Sequence, residues 1–518
     1  MKRTSLILVA LMLLAGTASA QRLEFYPGPG GDGSTFRMAG NWFRYLVEEL
    51  PSVYPPVDGA YDAGYPYPNE ENMIEAHIRD ARTVTLSGGW AGANEMNIGT
   101  EAFSSGGSWL PRADSKLIVR DGGILQVSAQ TVVGNAYGGT FKLEPGGRLQ
   151  SGVNMGRLLV GLRSETAQTP TATGYYINTG GTYLGGNKTQ LGRGRGGVGV
   201  IKISGGYSEH IYVHMGNTGT GVPADLCGKG IITLSGGTFA PRRVDVGSAD
   251  FFTLFSWVQT DNYNPNSTGE LNLLGGLLAW NGEASAPNYG ADDNGIRVTV
   301  GQMRLGKGFH CDSGPNQATF GIQGANPNDT SKFWQWTTGK TIVELKNTSE
   351  FGYLSVAQNM KLDGVFDVAV APGASWAVGQ KFTVLKSRNG TAIAGAAFLA
   401  SYNSRTDRLF NIAIEATGGS SNGLVLTAIH RGGDANEDMV VNVGDLGILA
   451  GNWGRTARTW ATGDFTGDGL VNVGDLGVLA GNWGWSLANG VGTIMAVPEP
   501  ASLVLLALGG LAMLRRRK

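Results

Sequence analysis

Twice in this chain, oxygen-bearing side chains fall at the spacing that wraps a hard cation. Residues 434–445 place Asp434, Asn436, Asp438, Asn442 and Asp445 at loop positions 1, 3, 5, 9 and 12. Residues 464–475 place Asp464, Thr466, Asp468, Asn472 and Asp475 at the same positions. Position 7 is Val440 or Leu470, each of which offers a backbone carbonyl. Calcium takes about six to eight oxygens at roughly 2.3–2.6 Å, and a loop of this pattern supplies them. Two bound Ca2+ ions are therefore expected. Met439 stands at position 6, where glycine is usual, so the first loop is expected to be strained. Thr466 is a neutral and poorer donor.

Each loop runs into a helix. Leu446, Leu449, Ala450 and Trp453 share one face by i, i+3, i+4, i+7 spacing, and so do Leu476, Leu479, Ala480 and Trp483. Gly454 and Gly484 can end these helices. The two copies lie 30 residues apart, and between Val441–Gly454 and Val471–Gly484 they differ only at Ile448 and Val478. A duplicated loop-then-helix unit without a preceding helix resembles a type I dockerin, over about residues 434–485. That resemblance implies docking onto a cohesin domain through positions 10 and 11. Here these are Val443-Gly444 and Val473-Gly474, unlike the hydroxyl-bearing pair of the best-known members. The expected partner is thus a cohesin-like or other protein.

Other constellations are weaker. His210 and His214 in EHIYVHMG share a strand face without a third ligand nearby, which reads as a solvent-facing surface. His310-Cys311-Asp312 reads the same way. Arg193 and Arg195 read as a solvated turn. The carboxylates Asp245, Asp250, Asp292 and Asp293 are scattered, with no pair set for acid–base work. There is no HExxH or phosphate loop. The only cysteines, Cys227 and Cys311, lie far apart, and the sequence leaves their pairing open.

The elements that must carry these residues are short strands. The chain has 83 glycines in 518 residues, more than twice the usual share of about 7%. A phrase of alternating apolar residues followed by Gly-Gly recurs as VTLSGGW (84–90), LIVRDGGIL (117–125), FKLEPGGRL (141–149), YINTGGTYL (176–184), IKISGGY (201–207), ITLSGGTF (232–239) and LNLLGGLL (271–278). A second phrase, a strand ending in glycine, closes at Gly134, Gly161, Gly247 and Gly301. Units that cannot bury their own apolar face must stack. The reading is an all-β chain, a parallel β-helix or solenoid, with an antiparallel β-sandwich array as its rival. The phrases resemble the glycine-rich repeats of autotransporter passengers. The expected order is a signal peptide (1–20), an N-terminal cap (21–83), solenoid repeats (84–350), a terminal β cap (351–430), the paired calcium loops (431–487), a linker (488–497) and a sorting tail (498–518).

The ends point to export. Lys2 and Arg3 precede a short apolar core and Ala18-Ser19-Ala20, the pattern of a cleaved signal. Pro498-Glu499-Pro500 precede an apolar run that stops at Arg515-Arg516-Arg517-Lys518. This resembles a PEP-CTERM sorting tail, which implies transient membrane insertion of a helix and removal by an exosortase. Both ends are basic and the whole chain has a net charge of −1, so the body between them is mildly acidic. That disfavours nucleic acid as a partner. Together these readings imply an exported structural or adhesive protein of the cell surface or extracellular matrix, not an enzyme, with extracellular polysaccharide as a further partner. The alternative is a secreted carbohydrate-active β-helix enzyme, a polysaccharide lyase or glycoside hydrolase carrying a dockerin. An Arg/Lys–Asp cluster or a carboxylate pair converging on one solenoid face would favour it.

Overall fold

The computed structural model describes residues 22–25, 42–45, 61–63, 75–78, 83–99, 114–135, 138–152, 156–162, 173–186, 188–193, 196–216, 227–247, 268–279, 295–311, 332–388, 392–405, 408–419 and 421–487. The signal segment and the sorting tail, with Pro498, Glu499 and Pro500, lie outside them.

Strands pair in parallel from one coil to the next, which rules out the sandwich array. Thr83–Ile98 pairs with Ser115–Asn135, and that strand pairs in turn with Gly139–Leu143, Arg148–Ser151 and Arg157–Leu162. The ladder continues through Val198–Met215 and Lys229–Val246. Each coil has three short strands, and the Gly-Gly phrases mark the corner between its first and second.

Along the stacked coils, alternate residues of the first strands point inward. The column Val84, Leu117, Phe141, Tyr176, Ile201, Ile232, Leu271 and Met303 runs along the core in register. All eight are 0% exposed. Burying one such side chain stabilises by about 1.5–3 kcal/mol. Asn178 stands where an apolar residue is expected, and its amide is fully engaged. Oδ1 accepts from Gly180 and Gly181 N–H, while Nδ2 donates to Tyr207 O and Ser208 Oγ.

The strand-ending glycines have a steric cause. Gly161, Gly192, Gly216 and Gly247 all have φ between +62° and +88°. Facing them is a second glycine column, Gly139, Gly174, Gly199, Gly230, Gly269, Gly301 and Gly339, in unbroken register over seven coils. A Cβ on Gly199 would come within 2.6 Å of Gly192 N. Gly301, read as ending a strand, in fact opens one and belongs to this second column.

The parallel ladder does not stop at 350. Tyr353–Val356, Met360–Leu362, Val365–Val370, Lys381–Ser387 and Ala392–Ala394 all continue it. At this end the antiparallel strands are Phe410–Gly418 and Ser421–Ala428, a hairpin laid against Lys381–Ser387. The helix Ala396–Asn403 precedes this hairpin, and Asn403 exchanges hydrogen bonds with Ile412 N–H and C=O. At the other end, Arg22–Phe25 pairs in parallel with Glu75–Ile78, which pairs with residues 95–98.

Substitution at the glycine column tests this packing. Gly192→Ala and Gly122→Ala both force alanine into left-handed backbone, at a cost of about 1–2 kcal/mol. The methyl has open space at Gly122 but falls on the Lys229 carbonyl of the next coil at Gly192. Urea unfolding is expected to show Gly192→Ala costing about 1–3 kcal/mol more. Equal losses would mean that the column is not sterically required.

Candidate functional site

The oxygen-rich loops sit just ahead of two short helices, Val443–Gly451 and Val473–Gly481. Loop and helix share the same groups. Asn442 Oδ1 accepts from Gly444 N–H, and Asp445 Oδ2 reaches back to Asn442 N–H at 2.8 Å. Asn472 and Asp475 repeat this box at matching distances. Loop positions 9 and 12 are therefore also the helix caps.

The other oxygen of each position-12 carboxylate ties down the start of its loop. Asp445 Oδ1 accepts from Ala435 N–H, and Asp475 Oδ1 from Phe465 and Thr466 N–H. Asp434 Oδ2 accepts from Met439 N–H, and Asp464 accepts from both Gly467 and Gly469 N–H. Asp438 and Asp468 accept from Val440 and Leu470 N–H. Asn436 Oδ1 accepts from Asp438 N–H. Asp434 and Asp464 are 3% exposed, and Asp445 and Asp475 are 0% exposed.

The two copies differ at one instructive place. Glu437 and Met439 take φ of +58° and +66°, where the second loop has Gly467 and Gly469 at +76° and +81°. The strain read at Met439 is thus present, and Glu437 adds to it. Asp434 Oδ1 is buried without a hydrogen-bond partner. Burial, with the Asp445 and Asp438 carboxylates beside it, pushes the Asp434 carboxyl up to about 6. Burial acts on Asp475 too, but N–H donors from Asn472, Thr466 and Phe465 outweigh it and hold this group below the usual range.

Among the described residues, no three His, Cys, Asp or Glu side chains converge as a metal cage. The donor set of these loops also draws on Asn436, Asn442, Thr466, Asn472 and the carbonyls of Val440 and Leu470. An unpartnered, buried carboxylate oxygen among further acids fits a hard cation, because the positive charge would offset both the burial and the crowding.

The duplicated halves interlock. Val441 N–H donates to Trp485 O, and Gly484 N–H to Val441 O. In the symmetric exchange, Val471 N–H donates to Arg455 O and Gly454 N–H to Val471 O. Each loop therefore pairs with the residues that follow the other copy's helix. Val443 and Val473, at position 10, are 65% and 74% exposed.

His210 and His214 are not solvent-facing. The inward set runs Ser208, His210 and then Val213, Met215, so the alternation slips by one at the corner and the two imidazoles fall on opposite sides. His210 is fully enclosed, packed on Tyr183 and Phe239, with Nδ1 2.8 Å from Thr189 Oγ1. Burial depresses its pKa to about 3, so it is neutral. His214, on the outer side, lies 3.1 Å from Asp245. Asp245 also accepts from Arg243 Nε at 3.0 Å and Arg297 Nε at 2.6 Å. All four are at most 5% exposed. Sequence reasoning missed this hub, because Arg297 stands 52 residues from Asp245 and only the register unites them. Cys227 and Cys311 form no disulfide. His310 is exposed while its neighbour Cys311 turns into the core.

Residues 496–518 match the PEP-CTERM protein-sorting motif. This motif marks the chain for export and exosortase-type sorting to the cell surface or beyond. No curated protein matches the chain at a significant level. Among the described residues, no helix is long and apolar enough to cross a membrane.

Two outcomes follow from the asymmetry of the loops. Met439→Gly is expected to raise metal-free stability by about 1 kcal/mol, read by thermal unfolding, since it relieves left-handed strain. No change would mean that Met439 is relaxed as it stands. Asp434 has a folded pKa above its unfolded value of about 3.9. Its contribution is fully present below that value and is lost as pH rises through about 6. The metal-free protein is therefore expected to lose stability between pH 4 and 6, and Asp434→Asn to flatten that slope.

Proposed function

We propose that this chain is an exported surface or matrix protein in which a glycine-cornered solenoid carries a calcium-folded docking module. The observation that carries this reading is the doubled set of loop donors that are also helix caps. A cation drawing Asp445 and Asp475 into place would order loop start, loop end and helix together. Asp434, Asn436, Asp438, the Val440 carbonyl, Asn442 and Asp445 would hold one ion. Asp464, Thr466, Asp468, the Leu470 carbonyl, Asn472 and Asp475 would hold the other. Calcium would supply only charge and geometry there.

The docking part of the reading rests on Val443 and Val473. Two valines related by the internal duplication stand exposed at the starts of the two helices, while most large apolar side chains among the described residues are covered. Such residues suit a protein partner, cohesin-like or otherwise, sited outside the cell by the sorting tail. The solenoid's adhesive role, with polysaccharide as a further partner, belongs to the same reading.

The carbohydrate-active alternative calls for an Arg/Lys–Asp cluster on one solenoid face. The Arg243–Asp245–Arg297–His214 hub is such a cluster. Its only carboxylate is already committed to two guanidinium groups and an imidazole, and the whole hub is buried. The non-enzymatic reading is therefore preferred.

Calorimetric titration of the full chain with calcium tests the module. Two ions are expected, with Asp445→Asn and Asp475→Asn each losing one. Val443→Asp with Val473→Asp should leave both ions bound and abolish capture of the partner. An absence of heat at millimolar calcium would end this reading.

A further inference from the structure

The junction between solenoid and module contains no slack. Ala428 closes the last strand of the antiparallel hairpin, donating to Gln380 O and accepting from Gly379 N–H, both at 2.9 Å. The next residue, Ile429, donates to Leu409 O at 3.0 Å. Asp434, the first loop donor, follows five positions later. Every residue between is engaged with the module.

The His430 imidazole stacks on Trp460, with ring centroids 4.5 Å apart. The Arg431 guanidinium lies over the Trp485 ring at 5.0 Å, and Arg431 O accepts from Asp434 N–H. Gly432 and Gly433 press against the second helix. A Cβ on Gly432 would come within 3.0 Å of Val478 Cγ1, and one on Gly433 within 2.9 Å of Leu479 Cα. Trp460 Nε1 closes the arrangement by donating to the carbonyl of Asp434 at 2.7 Å.

These contacts grip both copies. Trp460 lies in the short turn between them, and Trp485 lies on the segment that pairs with the first loop. Ala435, Val441, Phe465 and Trp485 of the module are continuous with the apolar core that runs along the solenoid. The hairpin is also the last element on the parallel stack, pairing through Leu424 and Leu426 with Lys381–Ser387.

We propose that the module is a calcium-dependent lock on the C-terminal end of the solenoid. Calcium that folds the module also holds the hairpin 410–428 shut, because Ile429 is bonded to Leu409 beside the hairpin and the hairpin cannot open without pulling the adjoining His430 and Arg431 off the module. This rests on the calcium reading above. If hairpin and module open together, each ion present at 100 times its Kd lowers the open population by about 100-fold. If they open separately, the hairpin gains nothing.

Hydrogen exchange on the full chain, in calcium and in chelator, decides between these. Exchange across 410–428 and 381–387 is expected to slow by at least about tenfold in calcium, while 115–162 stays unchanged as an internal reference. The double variant His430→Ala, Arg431→Ala should still take up two ions and lose that gain. Calcium uptake without slower exchange at 410–428 overturns the lock alone. So does a double variant that keeps the full gain. An absence of calcium uptake removes the reading beneath it as well, so the two failures are separable.

Discussion

Where the third strand of one coil hands over to the first strand of the next, two columns of glycine meet, and nothing larger fits between them. Gly161, Gly192, Gly216 and Gly247 turn the corner in left-handed backbone, and Gly174, Gly199, Gly230 and Gly269 take the space in front of them. Strands of neighbouring coils stack about 4.8 Å apart. That spacing leaves room for backbone but not for a Cβ aimed at the adjoining coil. The apolar columns inside depend on this corner, because a slip of one residue would turn Ile201 and Ile232 outward and their polar neighbours inward. Residues 217–226 and 248–267 follow the third strand of one coil and precede the first strand of the next, and the first strands Val198–Ile203, Lys229–Leu234 and Thr268–Leu273 keep one register across them.

The duplicated loops are built differently, with one group serving two ends. A carboxylate that caps a helix and also pins the start of its loop couples the helix to the loop. The exchange of backbone pairs between copies then couples each loop to the other copy. Asp445 and Asp475 are the points where these couplings meet, and both are buried. Gly467 N–H donates to Asp464 Oδ1 at 2.8 Å in the second loop, whereas Asp434 Oδ1 in the first has no hydrogen bond of that quality.

Much of this was legible in the residues themselves. Alternation at Leu117, Val119 and Ile201, Ile203 marks strands with one buried face, and Gly-Gly marks their corner. The repeat at offset 30 exposes the paired loops directly. Other features lay hidden for physical reasons. The column Gly139, Gly174, Gly199 and Gly230 has no fixed period, because insertions of different length separate the coils. After residue 350 the Gly-Gly punctuation gives way to turns at Pro372-Gly373 and Gly379, so parallel strands there read as a separate cap. His210 reads as a surface residue only until the alternation slips at the corner beside it. Asp245 gains its meaning from Arg297, which no local pattern ties to it.

The central claim is that the duplicated loops bind calcium in an exported solenoid protein. Anomalous diffraction from crystals of the full chain, grown with calcium and repeated with a lanthanide, tests it most directly. The account predicts two peaks, one within bonding distance of Asp434 and Asp445 and the other of Asp464 and Asp475. Ordered loops with no peak at either place, or ions bound only elsewhere, would contradict it.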